Sequence, residues 1–466
     1  MRIFPESDSS IILESGESIE YNELMKTTRL IEDEIETRTH ILCLFSNDIG
    51  SLLGYFTFAY GDNVPLILSV ETHKDHILRI VDSYSVPYIW MPCDYLLEEV
   101  ECTHVIEVYG YKLVRIKSNS IAPVANDLAL LASTSGSTGS PKFVRQSYQN
   151  IVTNTSSICK YLELNSDDTA ITSLPISYTF GMSTVNCQVL VGGDIVLTGS
   201  SVVQKEFWQL VEKHDVQVLS GVPFTYETID KMRAFRKELP SITKILQAGG
   251  RLSPHLQAKI AKYCEGYGKE FYVMYGQTEA TTRMSYLPPA NSLFKLGSIG
   301  IAVPGGQFDV VDLHGNSIST PFVVGELVYR GENVCLGYAE VLEDLKAPNE
   351  WLGKLETGDL AEFDEDGYFY IKGRIKRIHK HYGLRVNLDE VEMLIRSRYP
   401  SLSVACVGDG EDIVVWLEDK PMLEELKKYL LEATQIKPSG LKLRQIEVIP
   451  KLKNEKINYQ ALMGCQ

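Results

Sequence analysis

The chain has 466 residues, 44% of them hydrophobic and 23% charged, the balance of an ordinary globular protein of roughly two or three domains. Its formal charge of −16 argues against general nucleic-acid binding, and no apolar run reaches the ~18 residues of a membrane span. The N-terminal Met-Arg-Ile-Phe-Pro-Glu-Ser-Asp lacks a signal peptide's apolar core, and the nine cysteines are scattered with no Cys-x-x-Cys pair, which points to a reduced cytoplasmic protein without a zinc site.

Residues 41–45, 64–68 and 86–91 are apolar, and the intervening 49–60 and 73–83 carry helical spacing. This alternation predicts a parallel sheet covered by helices. Residues 128–132 form another apolar run and predict a buried strand, followed by Thr134 to Lys142, which read Thr-Ser-Gly-Ser-Thr-Gly-Ser-Pro-Lys. Apolar residues at Tyr148, Ile151, Val152, Ile158 and Leu162 then predict a helix. A loop between a strand and a helix, lined with N–H groups and hydroxyls and ending in a lysine, suits a polyphosphate. Read alone, the segment is equally a flexible Ser/Gly turn. A P-loop NTPase would need Gly-Lys-Ser/Thr where this chain has Ser-Pro-Lys.

The strand–helix alternation recurs over 168–218 (strands 169–174 and 194–197, helices 183–191 and 205–213) and over 242–275. Residues 297–338 change to short β-rich runs between Gly/Asn turns and predict a small β-subdomain, with a hairpin-like stretch at 364–373. After Arg374 a fresh α+β pattern runs to the C-terminus, so the domain boundary is expected near Lys376. The expected architecture is α/β: a large N-terminal domain (1–374) of two βαβ-layered subdomains plus the small β-subdomain, a hinge near 375–376, and a small mobile α+β domain (377–466).

Four further segments join the glycine loop: Met-Tyr-Gly-Gln-Thr-Glu-Ala (274–280), Glu-Thr-Gly-Asp-Leu (356–360), Gly-Arg-Ile-Lys-Arg-Ile-His-Lys-His-Tyr-Gly-Leu-Arg-Val (373–386), and Pro-Lys-Leu-Lys-Asn-Glu-Lys-Ile-Asn (450–458). In this order and spacing they resemble the core motifs of the AMP-forming adenylating enzymes, the superfamily of acyl-CoA synthetases, peptide-synthetase adenylation domains and firefly-type luciferases. The resemblance spans nearly the whole chain. It implies that a carboxylate attacks the α-phosphorus of ATP with Mg²⁺ present, and that a phosphopantetheine thiol, of CoA or a holo acyl carrier protein, then displaces AMP.

The resemblance also implies residue roles. Thr134, Ser135, Gly136, Ser137, Thr138 and Gly139 would cradle the β- and γ-phosphates with Lys142 nearby. Thr278 would touch the α-phosphate and Glu279 would hold Mg²⁺, for which hard oxygen ligands are suited. Tyr275, Gly276 and Gln277 would adjoin the nucleotide together with Ala248, Gly249 and Gly250. Asp359 would accept from the ribose hydroxyls, and Arg374 would reach the ribose or phosphate. Lys456 is the expected adenylation lysine, an ammonium bridging carboxylate and α-phosphate as charge builds. Lys376 would be the hinge, and Gly383 would line the thiol channel, where a side chain would block passage. Two positions depart from the pattern: Glu455 replaces the glycine usual before the lysine, and Arg377 stands where an acid is frequent.

Tyr178, Phe180, Thr184, Val222, Pro223, Gln277 and Met284 are the expected lining of a mostly apolar acyl pocket. Residues 174–190 hold no Asp or Glu to balance an α-ammonium, and leaving that charge buried would cost several kcal/mol. The expectation is therefore ligation of a small non-amino carboxylic acid to a thiol. The alternatives are an acyl-AMP ligase serving an amine or hydroxyl, an amino-acid-activating enzyme, and a non-catalytic nucleotide-binding regulator.

Overall fold

The structure, a computed structural model, describes residues 3–4, 6–117, 119–133, 142–399, 402–418, 423–434, 436–452 and 456–464. The chain forms two compact units, Met1–Gln307 with Tyr329–Leu355, and Phe308–Val328 with Glu356–Gln466. Among the described residues no helix is long and apolar enough to cross a membrane.

The first unit holds two large sheets. In the eight-stranded one the strands run Gly337–Ala339, Phe143–Ser147, Leu128–Ser133, Val64–Ser69, His40–Phe45, Tyr88–Pro92, Tyr111–Ile116 and Cys102–Val108. His40–Phe45 pairs in parallel with both Val64–Ser69 and Tyr88–Pro92. Every residue of His40–Phe45 is buried, because the sheet is covered on both faces. The two-residue period divides it: Ile41, Cys43 and Phe45 join one core, Leu42 and Leu44 the other. Helix Ile49–Ala59 has no polar face, and all but its first residue are buried.

The nine-stranded sheet runs Ile301–Ala302, Ser285–Leu287, Glu270–Tyr275, Lys244–Gln247, Val218–Gly221, Ala170–Ile171, Ile195–Leu197, Ser10–Leu13 and Ser18–Glu20. Its middle is parallel, and Glu270–Tyr275 pairs antiparallel with Ser285–Leu287. The strand expected at 169–174 is confined to Ala170–Ile171. The N-terminal hairpin Ser10–Leu13 and Ser18–Glu20 joins this sheet through a parallel pairing with Ile195–Leu197, which local sequence does not signal.

One expectation needs correction. The glycine-rich segment does not lead from a strand into a helix. Leu128–Ser133 pairs antiparallel with Phe143–Ser147, Ser133 opposite Phe143, so the segment joins two strands of a hairpin. The helix starts at Tyr148, capped by the Ser147 hydroxyl on the Asn150 N–H. Arg145 and Gln146 disguised the second strand by giving it the look of a polar surface. Both are buried, Arg145 because its guanidinium donates to the carbonyls of Tyr338, Ala347, Leu336 and Pro348 and pairs with Glu350 at 3.2 Å.

In the second unit a four-stranded sheet of Gln307–Val311, Gly325–Arg330, Lys354–Phe363 and Phe369–Arg374 leads through the 3₁₀ turn Ile375–Arg377 to the hairpin Ile378–His381 and Leu384–Asn387. A three-stranded sheet, Val404–Asp409, Asp412–Leu417 and Leu441–Gln445, follows, with helices Leu388–Arg398, Leu423–Ala433 and Tyr459–Gly464.

His40 makes the first unit sensitive to acid. Its ring is fully buried, Nε2 meets the Tyr84 carbonyl oxygen at 2.8 Å, and Nδ1 has no partner. Burial lowers its pKa to about 4 against an ordinary 6.5, and the hydrogen bond to Tyr84 opposes this only in part. The unfolded chain therefore takes up a proton below pH 6.5 that the folded chain refuses. Stability is full above pH 6.5 and falls on acidification until about pH 4, by about 3 kcal/mol in all. Denaturant unfolding at pH 7 and pH 5 should show a larger loss for the native protein than for His40→Gln; equal losses would exclude His40 as the source.

Candidate active site

Strand Glu270–Tyr275 ends at a sharp reversal. The chain passes Gly276, makes the 3₁₀ turn Thr278–Ala280 and returns as Ser285–Leu287, with the Met284 N–H donating to the Tyr275 carbonyl at 2.9 Å. A Cβ on Gly276 would run into the Thr282 carbonyl, deep inside van der Waals contact. Thr281 and Thr282 both take positive φ, +59° and +124°, which non-glycine residues adopt only under constraint. The constraint is visible. Asn333 Nδ2 donates to the Ala280 carbonyl (2.9 Å), the Cys335 N–H to that of Glu279 (3.0 Å), and Gln146 Nε2 to that of Thr278 (3.3 Å). The Thr281 hydroxyl donates to the Asn333 carbonyl (2.7 Å). With their carbonyls tied down, Thr278 and Glu279 hold their half-buried side chains on a fixed main chain.

Glu279 Oε1 accepts the Tyr338 hydroxyl at 2.9 Å. Burial, and then the Glu279 charge, push the Tyr338 phenol well above its ordinary range, so it stays a donor. Lys142 Nζ lies 3.6 Å from the centroid of the same ring and 3.6 Å from Glu340 Oε1. Trp351 meets the ring edge-on at 4.9 Å. Tyr338 thus joins the lysine at the end of the glycine-rich segment to the carboxylate of the 3₁₀ turn. Sequence reasoning missed Tyr338, whose only signal was an aromatic beside glycine in Leu336-Gly337-Tyr338. Thr134, Ser135, Gly136, Ser137, Thr138 and Gly139 lie outside the described residues.

A second wall follows strand Lys244–Gln247. A Cβ on Gly249 would lie 2.9 Å from the Tyr178 hydroxyl and 3.0 Å from Val222; one on Gly250 would lie 3.1 Å from Pro223. The structure therefore brings Tyr178, Val222 and Pro223 against Gly249 and Gly250. The Ala248 N–H donates to the Gly221 carbonyl (3.2 Å), and Gln247 Nε2 to that of Gly250 (2.9 Å). Gln277 Nε2 donates to the Tyr275 hydroxyl at 3.1 Å. Phe180 and Met284 are buried, and the Phe180 ring faces the Arg283 guanidinium at 4.9 Å. The Thr184 hydroxyl donates to the Phe180 carbonyl at 3.3 Å. Arg283 was not among the expected site residues; a lone arginine after Thr281-Thr282 reads as surface.

In the second unit Asp359 and Arg374 face each other across paired strands, with Arg374 Nε 3.0 Å from Asp359 Oδ1. Asp359 is 2% exposed, and its N–H donates to the Thr357 hydroxyl. The Arg374 N–H donates to Asp389 Oδ2 (3.0 Å). Lys376 lies in the 3₁₀ turn Ile375–Arg377. The departure at Arg377 has a structural account: it donates to Asp389 (2.7 Å), Glu392 (2.6 Å) and the Cys406 carbonyl (2.7 Å) and covers the Tyr459 ring at 3.7 Å. Gly383 takes φ +86° in the hairpin turn, and nothing lies within 4 Å of a Cβ built there; backbone conformation, not crowding, calls for glycine. The Lys456 carbonyl accepts the Leu452 N–H (2.7 Å), and Asn458 bonds back to the Pro450 carbonyl, so Lys456 closes a local loop. Glu455 lies outside the described residues.

Among the described residues no three His, Cys, Asp or Glu converge as a metal cage. Glu279, whose Oε2 has no partner among the described residues, fits a hard cation held mainly by ligand phosphates and water.

The family described as AMP-binding enzyme matches residues 87–339, a span that includes Lys142, the 274–283 reversal and Tyr338. A probable CoA ligase of Humulus lupulus is 28% identical over 295 residues, 62% of this chain and 55% of that protein. The 2-succinylbenzoate–CoA ligase of Bacillus pumilus is 29% identical over 313 residues, 66% of this chain and 62% of that protein. The matched part thus spans less than two thirds of these relatives' length. The o-succinylbenzoate CoA synthetase of Bacillus subtilis, solved with its acyl-adenylate intermediate, superposes with a TM-score of 0.80 at 20% identity, covering 98% of this chain and 95% of that one.

The crossing at Gly276 is open to direct test. Gly276→Ala sets a methyl against main chain that cannot swing aside, so its destabilisation should exceed the ~1–3 kcal/mol of ordinary overpacking. A denaturation midpoint like the native one would show that the reversal is looser than described.

Proposed function

The chain belongs to the AMP-binding enzyme family, and on that premise we propose that it is an ATP-dependent acid–thiol ligase that adenylates a small non-amino carboxylic acid and passes the acyl group to a phosphopantetheine thiol of CoA or an acyl carrier protein. The observation that carries this reading is the meeting of Lys142 and Glu279 on Tyr338. It sets the cation of the phosphate loop and the carboxylate suited to Mg²⁺ on two sides of one phenol.

In the first step a carboxylate oxygen forms a bond to the α-phosphorus, and the bond to pyrophosphate breaks. In the second a thiolate attacks the acyl carbon and AMP leaves. The first step brings anions together, so it needs cations and oriented donors. Lys142, with the Thr134–Gly139 segment, would hold the β- and γ-phosphates, and Thr278 would donate to an α-phosphate oxygen. Glu279 would hold Mg²⁺, which when bound neutralises phosphate charge. Tyr275, Gly276, Gln277 and the Ala248–Gly250 turn would flank the base. Asp359 would accept from the ribose hydroxyls, with Arg374 beside it. Lys456 would bring the cation that offsets the attacking carboxylate. Residues 377–466 would turn about 375–376, with Lys376 at the pivot, between the two half-reactions, and Gly383 would serve the thiol step. The absence of Asp and Glu from 174–190 disfavours an α-amino acid. Eight cysteines are free thiols among the described residues, as a reducing cytoplasm would keep them.

The decisive assay is acid-dependent pyrophosphate exchange over a carboxylic-acid panel, repeated as acyl transfer to CoA and to holo carrier protein. Lys456→Ala should lower exchange about 100- to 1000-fold, the loss typical of one charge-stabilising donor, while thiolysis of supplied acyl-adenylate stays near native. Equal loss in both half-reactions would refute that division of labour.

A further inference from the structure

Lys456, the expected adenylation lysine, lies on a segment with its own anchorage. The Leu452 N–H donates to the Lys456 carbonyl (2.7 Å), the Asn458 N–H donates to the Pro450 carbonyl (2.8 Å), and Lys451 pairs with Ile457. Asn458 Oδ1 then accepts the Ala461 N–H (3.1 Å) at the start of helix Tyr459–Gly464. Ile457, Tyr459 and Leu462 pack with Val407, Val414 and Trp416 of the three-stranded sheet. These contacts hold the segment to the sheet, and none of them reaches the expected pivot at 375–376.

The Tyr459 side chain does reach the residue beside that pivot. Its hydroxyl donates to Glu392 Oε2 (3.0 Å), and the Arg377 guanidinium covers its ring at 3.7 Å. Glu392 Oε1 accepts from Arg377 Nη2 (2.6 Å) and from the Cys406 N–H (2.8 Å), and Arg396 adds a longer contact to Oε2 (3.4 Å). Arg377 ends the 3₁₀ turn Ile375–Arg377. Burial and then the Glu392 charge raise the Tyr459 pKa, against the opposing pull of Arg377, so the hydroxyl stays a donor. Packing alone does not call for this arrangement. A phenylalanine ring would fill the same place under Arg377, and Glu392, 4% exposed, carries a charge whose desolvation a hydrocarbon side chain would avoid. The best-attested use of such buried ionic groups is to fix one register. Here the elements brought into register are the residue next to the pivot, helix Leu388–Arg398 and the segment that carries Lys456.

We propose that Tyr459 is a positioning residue for the adenylation step: through Glu392 and Arg377 it locks the Lys456 segment to the first residue beyond the pivot, so that the ammonium is presented in one fixed place when residues 377–466 turn. This deepens the ligase reading and rests on its assignment of Lys456. Tyr459 touches no reacting atom, and its effect passes entirely through Lys456. The thiol half-reaction, which does not use that ammonium, is indifferent to it.

The test uses the full-length protein, the acid of the panel that it exchanges best, and both half-reactions. Tyr459→Phe keeps the ring under Arg377 and removes only the bond to Glu392. It should lower kcat for pyrophosphate exchange about tenfold, less than the ~100-fold that a misplacement of about 1 Å can cost, with KM for ATP within about twofold of native and thiolysis of supplied acyl-adenylate near native. In a Lys456→Ala background the same substitution should cost nothing further, because the group it acts through is already gone. Native exchange in Tyr459→Phe overturns the proposal. So does an equal loss in both half-reactions, the mark of a merely structural role, and so does a further loss of about tenfold in the Lys456→Ala background. Native exchange in Lys456→Ala would defeat the assignment of Lys456 and this proposal with it, a result distinct from a silent Tyr459→Phe. Exchange with no acid of the panel would defeat the ligase reading itself.

Discussion

The site rests on a main-chain crossing. Gly276 passes so close to the Thr282 carbonyl that no side chain fits between the two halves of the reversal, which the Met284 N–H to Tyr275 carbonyl bond holds together. Thr278 and Glu279 project from its outer bend, and Arg283 follows its return. The positive φ angles at Thr281 and Thr282 are the strain this imposes, borne because Asn333, Cys335 and Gln146 bond the turn from three separate elements. Rigidity of this kind favours groups that must meet charge without reorganising.

The electrostatic arrangement is economical. Three ionisable groups of the first unit, Lys142, Glu340 and Glu279, are set around the one phenol of Tyr338, which is itself kept protonated by burial. The second unit repeats the logic differently: Asp359 is held by Arg374, and Asp389 and Glu392 by Arg377. Elsewhere in the interior of the first unit, buried Arg145 faces Glu350 and buried Asp168 pairs with Lys244 at 2.9 Å. Arg283 differs from these in that the groups it meets, Ser183, Met274 and Phe180, are neutral.

Much of this was legible before any coordinates. The alternating strands and helices of residues 41–91 emerge nearly at their expected bounds because burial on both faces leaves long apolar runs. The motif segments were legible because five of them follow one another in order and spacing, although each alone reads equally as an ordinary turn or loop. What escaped reading depends on partners distant in sequence. Phe143–Ser147 hid as a strand because Arg145 finds its acceptors about two hundred residues later, at 336–348. Tyr338 meets Glu279 across 59 positions, and the burial of Arg283 depends on Ser183, 100 positions earlier. No local pattern encodes such pairings. Arg377 looked like a defect in the motif until Asp389, Glu392 and Tyr459 surrounded it.

Asp389 touches both ends of the short segment between Arg374 and Arg377. One carboxylate oxygen takes the Arg374 main-chain N–H and the other takes the Arg377 side chain. Arg377 is further anchored to Glu392 and to the Cys406 carbonyl, so it travels with the C-terminal fold. A swivel at residues 375–376 would part the Arg374 N–H from Asp389, a bond worth about 1.5–3 kcal/mol for a charged acceptor, and the Asn387 amide from the Lys372 carbonyl, while sparing the bonds of Arg377. The two bonds together would act as a detent on such a turn, strong enough to favour one angular setting and weak enough to yield.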